Sequence, residues 1–340
     1  MHWREVKVGQ MAMNRRQFVV VGVGSVVGVA ALTGAPASAQ SGFPSHPVRL
    51  VIPYPAGGPT DAIGRLLAQR LSEIWKVAVV AENRVGAGGI IGAQNVAVSP
   101  PDGYTLLLTA GSTTGSAEVL NPKGTPYRSL RDFSPVMFIG VQPTLMVVDS
   151  SLPVKDVKEF VALARANPGK YNYATSSTGS SSHFAFNMLK VVAGIEVVEI
   201  PFSGAAPANH AFAQGQIQAF MGGVATISPN VQTGRAKIIG VASAERMDAY
   251  PDIPTLKEQG FPVEWDTWYG IVAPAGVPAA LLDKLSADAM AALDGEPVRV
   301  QLEKMGLFRR LGGRQRMFEA MRDEIKNATR VAAEAKMIKE

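Results

Sequence analysis

The 340-residue chain contains no cysteine. This absence excludes disulfide bonds and thiolate metal sites, so the fold must be stabilised by the size of its core. Histidine is also scarce: the chain has four, and no two of them have the H-x-x-H or H-E-x-x-H spacing that is typical of zinc sites. We therefore expect the protein to bind no metal.

Clusters of basic residues are absent as well. The whole chain has 33 lysine and arginine residues against 28 acidic ones, a formal net charge of +5. Residues 1–39 hold four of the basic residues and one acidic residue, so the remainder has 29 basic and 27 acidic residues. No run of lysine and arginine has aromatic residues between its members, so the charge pattern indicates no nucleic-acid partner.

Residues 1–39 have the pattern of an export signal. Arg15 and Arg16 precede an apolar, glycine-rich run, and Ala37 and Ala39 fit the small-residue positions of a signal-peptidase site. Paired arginines before such a run resemble a twin-arginine signal. A transmembrane anchor is the alternative, but the run is shorter than the roughly 20 apolar residues that span a bilayer. We therefore predict a signal peptide, cleavage after Ala39 and a periplasmic location.

Beyond residue 39, apolar runs alternate with helical patterns. The run VRLVIP predicts a strand, and Ile63, Leu66, Leu67 and Leu71 then recur at helical spacing. Further strands are predicted at VAVVAEN, YTLLLTA, LMVVD, KYNYATS, VVEIPF, QAFMG and KIIGVAS. This alternation predicts an α/β protein in which mostly parallel sheets are flanked by helices.

Composition suggests that the chain crosses between domains at two places. Residues 44–143 and 264–340 are predicted to form domain 1, and residues 144–263 are predicted to form domain 2. Two α/β domains that are joined by two crossings leave a cleft between them, and such a cleft is the default site for a small ligand.

Three predicted strands end in small neutral residues that lead into a helix start: YPAGGPTD at 54–61, TAGSTTGS at 109–116 and SSTGSSSHF at 176–184. Ligands of open α/β sheets bind outside the carboxyl ends of the strands. All three segments offer hydrogen-bond donors and glycine without a fixed positive charge. They favour reversible capture of a small anion over catalysis, which would need a nucleophile, a base or a metal.

The first of these segments shows how an anion could be held. Pro59 suits the first position of a helix, and Gly57 and Gly58 allow a ligand to approach the backbone closely. The N–H groups of Thr60 and Asp61 then point out of the helix start. The carboxylate of Asp61 is expected to face away from an anionic ligand and to interact with the helix dipole.

Two motifs allow other interpretations. GAGGIIG at 86–92 resembles a dinucleotide loop, but its third glycine falls one residue late and no acidic residue ends the next strand. A tight turn with close helix–strand packing is the better explanation, and we expect no cofactor. At 176–184, the serines could simply cap a helix. An exported α/β serine hydrolase that uses Ser182 or a neighbour with His183 is the alternative function, although the chain has no G-x-S-x-G motif.

Several segments together resemble one family: YPAGGPTD, ENRVGAGGIIGAQNVAVSPPDGYTLLL, NPGKYNYATSSTGSSSHF, PFSGAAPA, DIPTLKEQG and WYGIVAPAGVPAA. In this order they are similar to the substrate-binding proteins of tripartite tricarboxylate transporters, the Bordetella-uptake-gene type of periplasmic receptor. The resemblance implies a two-domain Venus-flytrap protein that closes on a small carboxylate. It also implies delivery of the ligand to a large and a small membrane subunit, without catalysis, by a receptor that we expect to be a monomer.

The strand ends and the resemblance together give one set of candidate ligand-binding residues. They are Tyr54, Ala56, Gly57, Gly58, Thr60, Asp61, Ser112, Thr113, Ser177, Thr178, Gly179, Ser180, Ser181, His183, Phe202, Gly204, Ala205 and Gly222.

Compared with the family, the predicted pocket is less polar. The usual tyrosine, lysine and serine or threonine of one loop are Phe202, Ser203 and Ala205 here, and Pro59 stands where glycine is common. Gly222 replaces an aspartate that would pair with the ammonium group of an amino acid. We therefore expect a carboxylate without an ammonium group, with an aromatic or bulky one favoured.

Overall fold

The computed structural model of the protein describes residues 42–202 and 204–338. The predicted signal peptide and Ser203 lie outside these residues. The strands are β1 (Val48–Ile52), β2 (Val79–Asn83), β3 (Thr105–Ala110), β4 (Phe133–Gln142), β5 (Leu145–Asp149), β6 (Asn172–Thr175), β7 (Val198–Pro201), β8 (Ala219–Gly222), β9 (Ala236–Val241), β10 (Thr267–Pro274) and β11 (Phe308–Gly312).

Helices connect most of these strands. They are α1 (Pro59–Trp75), α2 (Ile90–Ala97), α3 (Ala117–Leu120), α4 (Ser129–Asp132), α5 (Val157–Ala166), α6 (Ser181–Ala193), α7 (Ala205–Ala213), α8 (Val224–Gln232), α9 (Ala279–Ala292), α10 (Glu296–Lys304) and α11 (Arg314–Glu334). A 3₁₀ turn at Ala87–Gly89 precedes α2, and a π-helical turn at Ser112–Ser116 precedes α3.

The strands form two sheets. We call each sheet, together with its helices, a lobe. The first sheet has six strands in the order β11-β4-β10-β3-β1-β2, and the second has five in the order β7-β6-β8-β5-β9. Each sheet has an apolar cluster of buried side chains on both of its faces. The predicted two-lobed α/β fold is confirmed.

Both sheets are mixed, which corrects the prediction of mostly parallel sheets. In the first lobe β1 pairs in parallel with β2 and β3, but β10 runs antiparallel to β3 and β4. In the second lobe β6 pairs in parallel with β7 and β8, but β5 runs antiparallel to β8 and β9. The antiparallel strands β4, β5, β9 and β10 are those that carry the chain between the lobes.

The chain crosses from β4 to β5 at residues 143–144 and returns between β9 and β10 at residues 242–266. The predicted division into two domains at such crossings stays a prediction. Helix α11 packs on both lobes. Met317 and Met321 lie in a cluster of the first lobe, whereas Ala328 and Val331 lie in the core of the second.

Helix α1 illustrates how local sequence positions the site. Its buried residues Ile63, Leu67 and Leu71 recur at the predicted helical spacing and pack into the core of the first lobe. Gly64 allows this helix to approach β1 closely, since a Cβ there would lie 2.5 Å from Ile52 Cδ1. The start of α1 is thereby held directly beyond the carboxyl end of β1.

Candidate functional site

A cleft of about 1220 Å³ lies between the two lobes. It is lined by strand ends and helix starts from both lobes, and none of its described lining residues is charged. Lining residues that the sequence had singled out are Tyr54, Ala56, Gly57, Gly58, Thr60, Ser112, Ser177, Ser180, Ser181, Gly204, Ala205 and Gly222.

The glycine loop before α1 forms one wall of the cleft. Gly57 adopts a φ of 82°, which favours glycine, and beyond its two chain neighbours no residue comes within 4 Å of the position that its Cβ would occupy. Tyr54 anchors the loop, because its hydroxyl lies 2.6 Å from Thr113 Oγ1 and 3.0 Å from Ser112 Oγ. Burial raises the pKa of Tyr54, so this hydroxyl stays protonated.

Asp61 stabilises the glycine loop from the side that faces away from the cleft. Its carboxylate accepts hydrogen bonds from Gly57 N, Arg65 Nε and Asn83 Nδ2, each at 2.9 Å. Burial alone would raise the pKa of Asp61, but the hydrogen bonds from Arg65, Gly57 and Asn83 outweigh it and lower the pKa to about 2. Asp61 does not line the cleft. Its side chain faces away from the ligand space, as the sequence predicted.

Helix starts from both lobes face the cleft. The N-cap residues of α1, α7 and α8 are Gly58, Gly204 and Gly223, and none of the three helices has a side-chain cap. At α6, by contrast, the Ser180 hydroxyl accepts from His183 N, so the capping interpretation is confirmed for that serine. Uncapped N–H groups at a helix start are donors for an anion.

Both ring nitrogens of His183 have hydrogen-bond partners within the second lobe. Its Nδ1 accepts from Gly179 N at 3.1 Å, and its Nε2 lies 3.1 Å from Glu199 Oε1. Ser182 Oγ instead contacts Ser180 Oγ at 2.8 Å. The imidazole therefore has no free nitrogen for an adjacent serine, and the Ser182–His183 pair of the hydrolase alternative is not formed.

Some predicted site residues do not line the cleft. They contact residues that line it, or they pack in the core. Thr113 contacts Tyr54, and Gly179 and His183 contact each other. Phe202 packs against the core of the second lobe. The predicted residues that do not line the cleft are Asp61, Thr113, Thr178, Gly179, His183 and Phe202. Their part in ligand binding stays a prediction.

The cleft is also lined by residues that the sequence motifs do not predict. Gln142, Thr144, Thr267 and Tyr269 come from the crossing strands β4 and β10 or the residues next to them, and Asn209 comes from α7. The strands β4 and β10 carry no glycine or hydroxyl motif at their ends. The predicted crossings next to residues 143 and 264 are the signal for these residues, because β4 ends and β10 begins at the cleft.

The segment that resembles a dinucleotide loop forms a tight turn. Gly86, Gly88 and Gly89 have φ angles of 144°, 66° and 99°. Gly92 allows α2 to pack closely, because a Cβ there would lie 2.8 Å from both Arg84 O and Pro53 Cβ. The predicted turn and helix–strand packing are confirmed. Across the described part of the chain, no histidine and carboxylate cluster could hold a metal ion. No helix among those residues is long and apolar enough to cross a membrane.

Two α/β lobes joined by two crossings around one uncharged cleft are the architecture of a two-lobed solute-binding protein. Residues 63–337 match the model of the tripartite tricarboxylate transporter family receptors, and the chain belongs to this family. The predicted family is therefore confirmed.

Three relatives illustrate the similarity. The protein BugT of Bordetella pertussis is 29% identical over 287 residues, which cover 84% of this chain and 87% of BugT. The structure of R. palustris Rpa4515 with adipate has a TM-score of 0.79 at 31% identity, and the match covers 86% of this chain and 98% of that one. MatC (Rpa3494) from Rhodopseudomonas palustris with bound malate has a TM-score of 0.75 at 31% identity, covering 85% and 99%.

Proposed function

We propose that the protein is a periplasmic receptor that captures a small carboxylate in the cleft and delivers it to the two membrane subunits of a tripartite transporter. The observation that carries this proposal is the uncharged cleft, into which the uncapped starts of α1, α7 and α8 point from both lobes. Donors of this kind stabilise an anion without a fixed counter-charge. The bound adipate and malate of two relatives support a carboxylate as the ligand.

A neutral cleft can bind a carboxylate with ordinary affinity. Micromolar binding requires about 8 kcal/mol, and a hydrogen bond to a charged group contributes about 1.5–3 kcal/mol. Several such bonds with apolar burial offset the loss of ligand freedom and the closure of the lobes. Because the cleft exceeds the roughly 300–1,000 Å³ of common ligand pockets, we expect the lobes to close around the ligand.

We expect one or more members of a carboxylate panel to bind reversibly at micromolar concentrations without turnover. The panel is adipate, malate, citrate and benzoate, and binding is measured by calorimetry on the protein lacking residues 1–39. Trp265 lies in the second crossing and Trp268 in β10, and each is buried in the apolar cluster of one lobe, so closure of the lobes on a ligand should change their fluorescence. Small-angle scattering should show a smaller radius of gyration with ligand.

The matching alcohol or amide of each acid serves as the control, since it keeps the carbon skeleton and removes the negative charge. Equal binding of acid and alcohol would contradict an anion site. A radius that is unchanged at saturating ligand would contradict closure while leaving the binding itself in place.

We also propose that the chain is exported as a folded monomer by a twin-arginine signal. Changing Arg15 and Arg16 together to lysine should retain the protein in the cytoplasm, because export of this type depends on the paired arginines. Fractionation of cells that produce the full chain measures this. Arg4→Lys, upstream of the pair, is the control and should be exported normally. Normal export of the double variant would contradict the signal assignment.

A further inference from the structure

Gln142 lies at the interface between the two lobes. It is the last residue of β4 and pairs with Thr267 of β10. The Thr267 hydroxyl donates to Ser181 Oγ at 2.8 Å, at the start of α6. Gln142 contacts a second helix start, because a Cβ on Gly223, the N-cap of α8, would lie 2.5 Å from Gln142 Cδ. The paired ends of the two crossing strands therefore each touch a helix start of the second lobe.

The amide of Gln142 is buried but weakly bonded. Its residue is 7% exposed. The Tyr269 hydroxyl donates to its Oε1 at 3.4 Å, and its Nε2 donates to the Met305 carbonyl at 3.5 Å. Both distances exceed the usual ranges of roughly 2.5–3.0 Å for O–H···O and 2.7–3.2 Å for N–H···O. Among the residues that the structure describes, the second Nε2 hydrogen has no acceptor.

The other amide that lines the cleft has stronger partners. Asn209 Nδ2 donates to the Thr226 carbonyl, and Asn209 Oδ1 accepts from Asn230 Nδ2 at 2.9 Å. Gln142 is thus the amide with hydrogen-bonding capacity left for a ligand. When closure removes water from a cleft, a donor that lacks an acceptor is unfavourable.

We propose that Gln142 is a ligand-binding residue, whose Nε2 donates a hydrogen bond to the bound carboxylate. The inference rests on the proposed carboxylate-binding function. Gln142, Tyr269 and Met305 all line the cleft. A ligand carboxylate is the strongest acceptor that can reach the free hydrogen, because no described lining residue carries a carboxylate. Contact with Gly223 then links this bond to the position of the second lobe.

The test uses two variants of nearly the same size, Gln142→Met and Gln142→Glu. The tightest binder of the panel named above is titrated by calorimetry at pH 8 and pH 5.5. Gln142→Met should bind about 10-fold more weakly, because it removes one hydrogen bond to a charged group. Gln142→Glu should bind about 100-fold more weakly at pH 8, since its carboxylate repels the ligand. Its deficit relative to wild type should narrow at pH 5.5, because burial and the bound carboxylate both raise the pKa of the new carboxyl, and its protonation restores a donor.

Gln315→Glu, an exposed change of the same chemistry on α11, is the control and should bind like wild type. Wild-type protein that binds no acid of the panel overturns both the receptor proposal and this inference. Wild-type binding with unchanged affinity in both Gln142 variants overturns the inference alone. An equal loss for Gln142→Glu at both pH values indicates a structural role and also overturns it.

A crystal structure of the wild-type complex decides the question even if both variants fail to fold. We expect Gln142 Nε2 within about 3.2 Å of a ligand carboxylate oxygen. An amide that keeps only its contacts with Tyr269 and Met305 in the complex overturns the inference.

Discussion

Replacing Gly222 with aspartate is expected to weaken the binding of a plain carboxylate by about 100-fold or more. Gly222 ends β8 and lines the cleft, where no described side chain carries a positive charge. Two like charges about 5 Å apart repel by about 3 kcal/mol at an effective dielectric constant of about 20. A Cβ at this position would lie 3.3 Å from Thr226 Cγ2 and 3.4 Å from Ile227 Cγ2, so these side chains must shift by a few tenths of an ångström to admit the aspartate.

Gly222→Asn separates charge from size and should weaken binding by less than about 10-fold. Adipate and its α-amino analogue, measured by calorimetry on wild type and Gly222→Asp, test the predicted specificity. Wild type should prefer the plain acid, since an ammonium group buried without a partner loses hydration. The aspartate variant should reverse part of this preference. Equal binding of both compounds by wild type would show that another residue supplies the counter-charge.

Local signals made the start of α1 predictable from sequence. Pro59 occupies the first helical position, and the apolar spacing from Ile63 to Leu71 matches the buried face. Glycine at position 57 permits the observed φ of 82° without steric cost, in keeping with the predicted close approach of a ligand to this loop. The orientation of Asp61 was predictable for a similar reason, because a first-turn acid interacts with the helix start.

The crossing strands were harder to predict, because their pairing depends on distant segments. Strand β4 contains Pro135 and Gly140, which weaken a strand pattern. Gly140 is explained by tertiary contact, since a Cβ there would lie 2.2 Å from Phe308 O of β11. The pairing of β4 with β10 also has register shifts, between Tyr269 and Gly270 and between Ile271 and Val272. No periodicity within one segment reports such contacts, so the mixed sheets and Gln142 were missed.

Which residues line the cleft was only partly predictable from the sequence, because that too depends on distant contacts. A motif places a residue at a strand end, but the direction of its side chain is set by packing. Phe202 follows β7 in the predicted loop, yet it packs on the core of the second lobe. His183 lies in the first turn of α6, where Glu199 on β7 and the Gly179 N–H take both ring nitrogens. These partners are distant in sequence or depend on a turn, so the motif alone could not identify them.

A buried glutamate on α11 is expected to make the free energy of unfolding depend strongly on pH. Glu324 on α11 is 8% exposed. Its Oε1 accepts from Ser116 Oγ at 2.5 Å, and its Oε2 accepts from Trp268 Nε1 at 3.2 Å. Burial raises the pKa of Glu324 to about 7, although both hydrogen bonds act in the opposite direction. Asp266, Asp323 and Arg316 line the same small cavity of about 190 Å³.

This raised pKa makes stability depend on pH in a definite direction. Below pH 4.5, the ordinary value for glutamate, the side chain is protonated in both the folded and unfolded states. Between that value and about 7, only the unfolded state loses the proton, so the free energy of unfolding falls as pH rises. At about 1.4 kcal/mol for each pKa unit, the loss by pH 8 is on the order of 3 kcal/mol.

Glu324→Gln should therefore be more stable than wild type at pH 8 by up to about 3 kcal/mol, and equally stable near pH 4. The amide can replace both hydrogen bonds, because its nitrogen can donate to Ser116 Oγ and its oxygen can accept from Trp268. Urea unfolding at the two pH values measures the difference. Asp323→Asn, the half-exposed neighbour on the same helix, is the control and should show a smaller change.

The fluorescence of Trp268 provides an independent measurement of the ionisation of Glu324. A negative charge that forms beside the indole N–H should shift the tryptophan emission of wild type with a midpoint near pH 7, and Glu324→Gln should lack this transition. Asp266, whose pKa burial raises to about 6, is present in both proteins, so its contribution cancels in the comparison. A glutamine variant that is less stable than wild type at pH 8 would contradict the prediction. In that case the ionised carboxylate must itself stabilise the contact between α11 and β10.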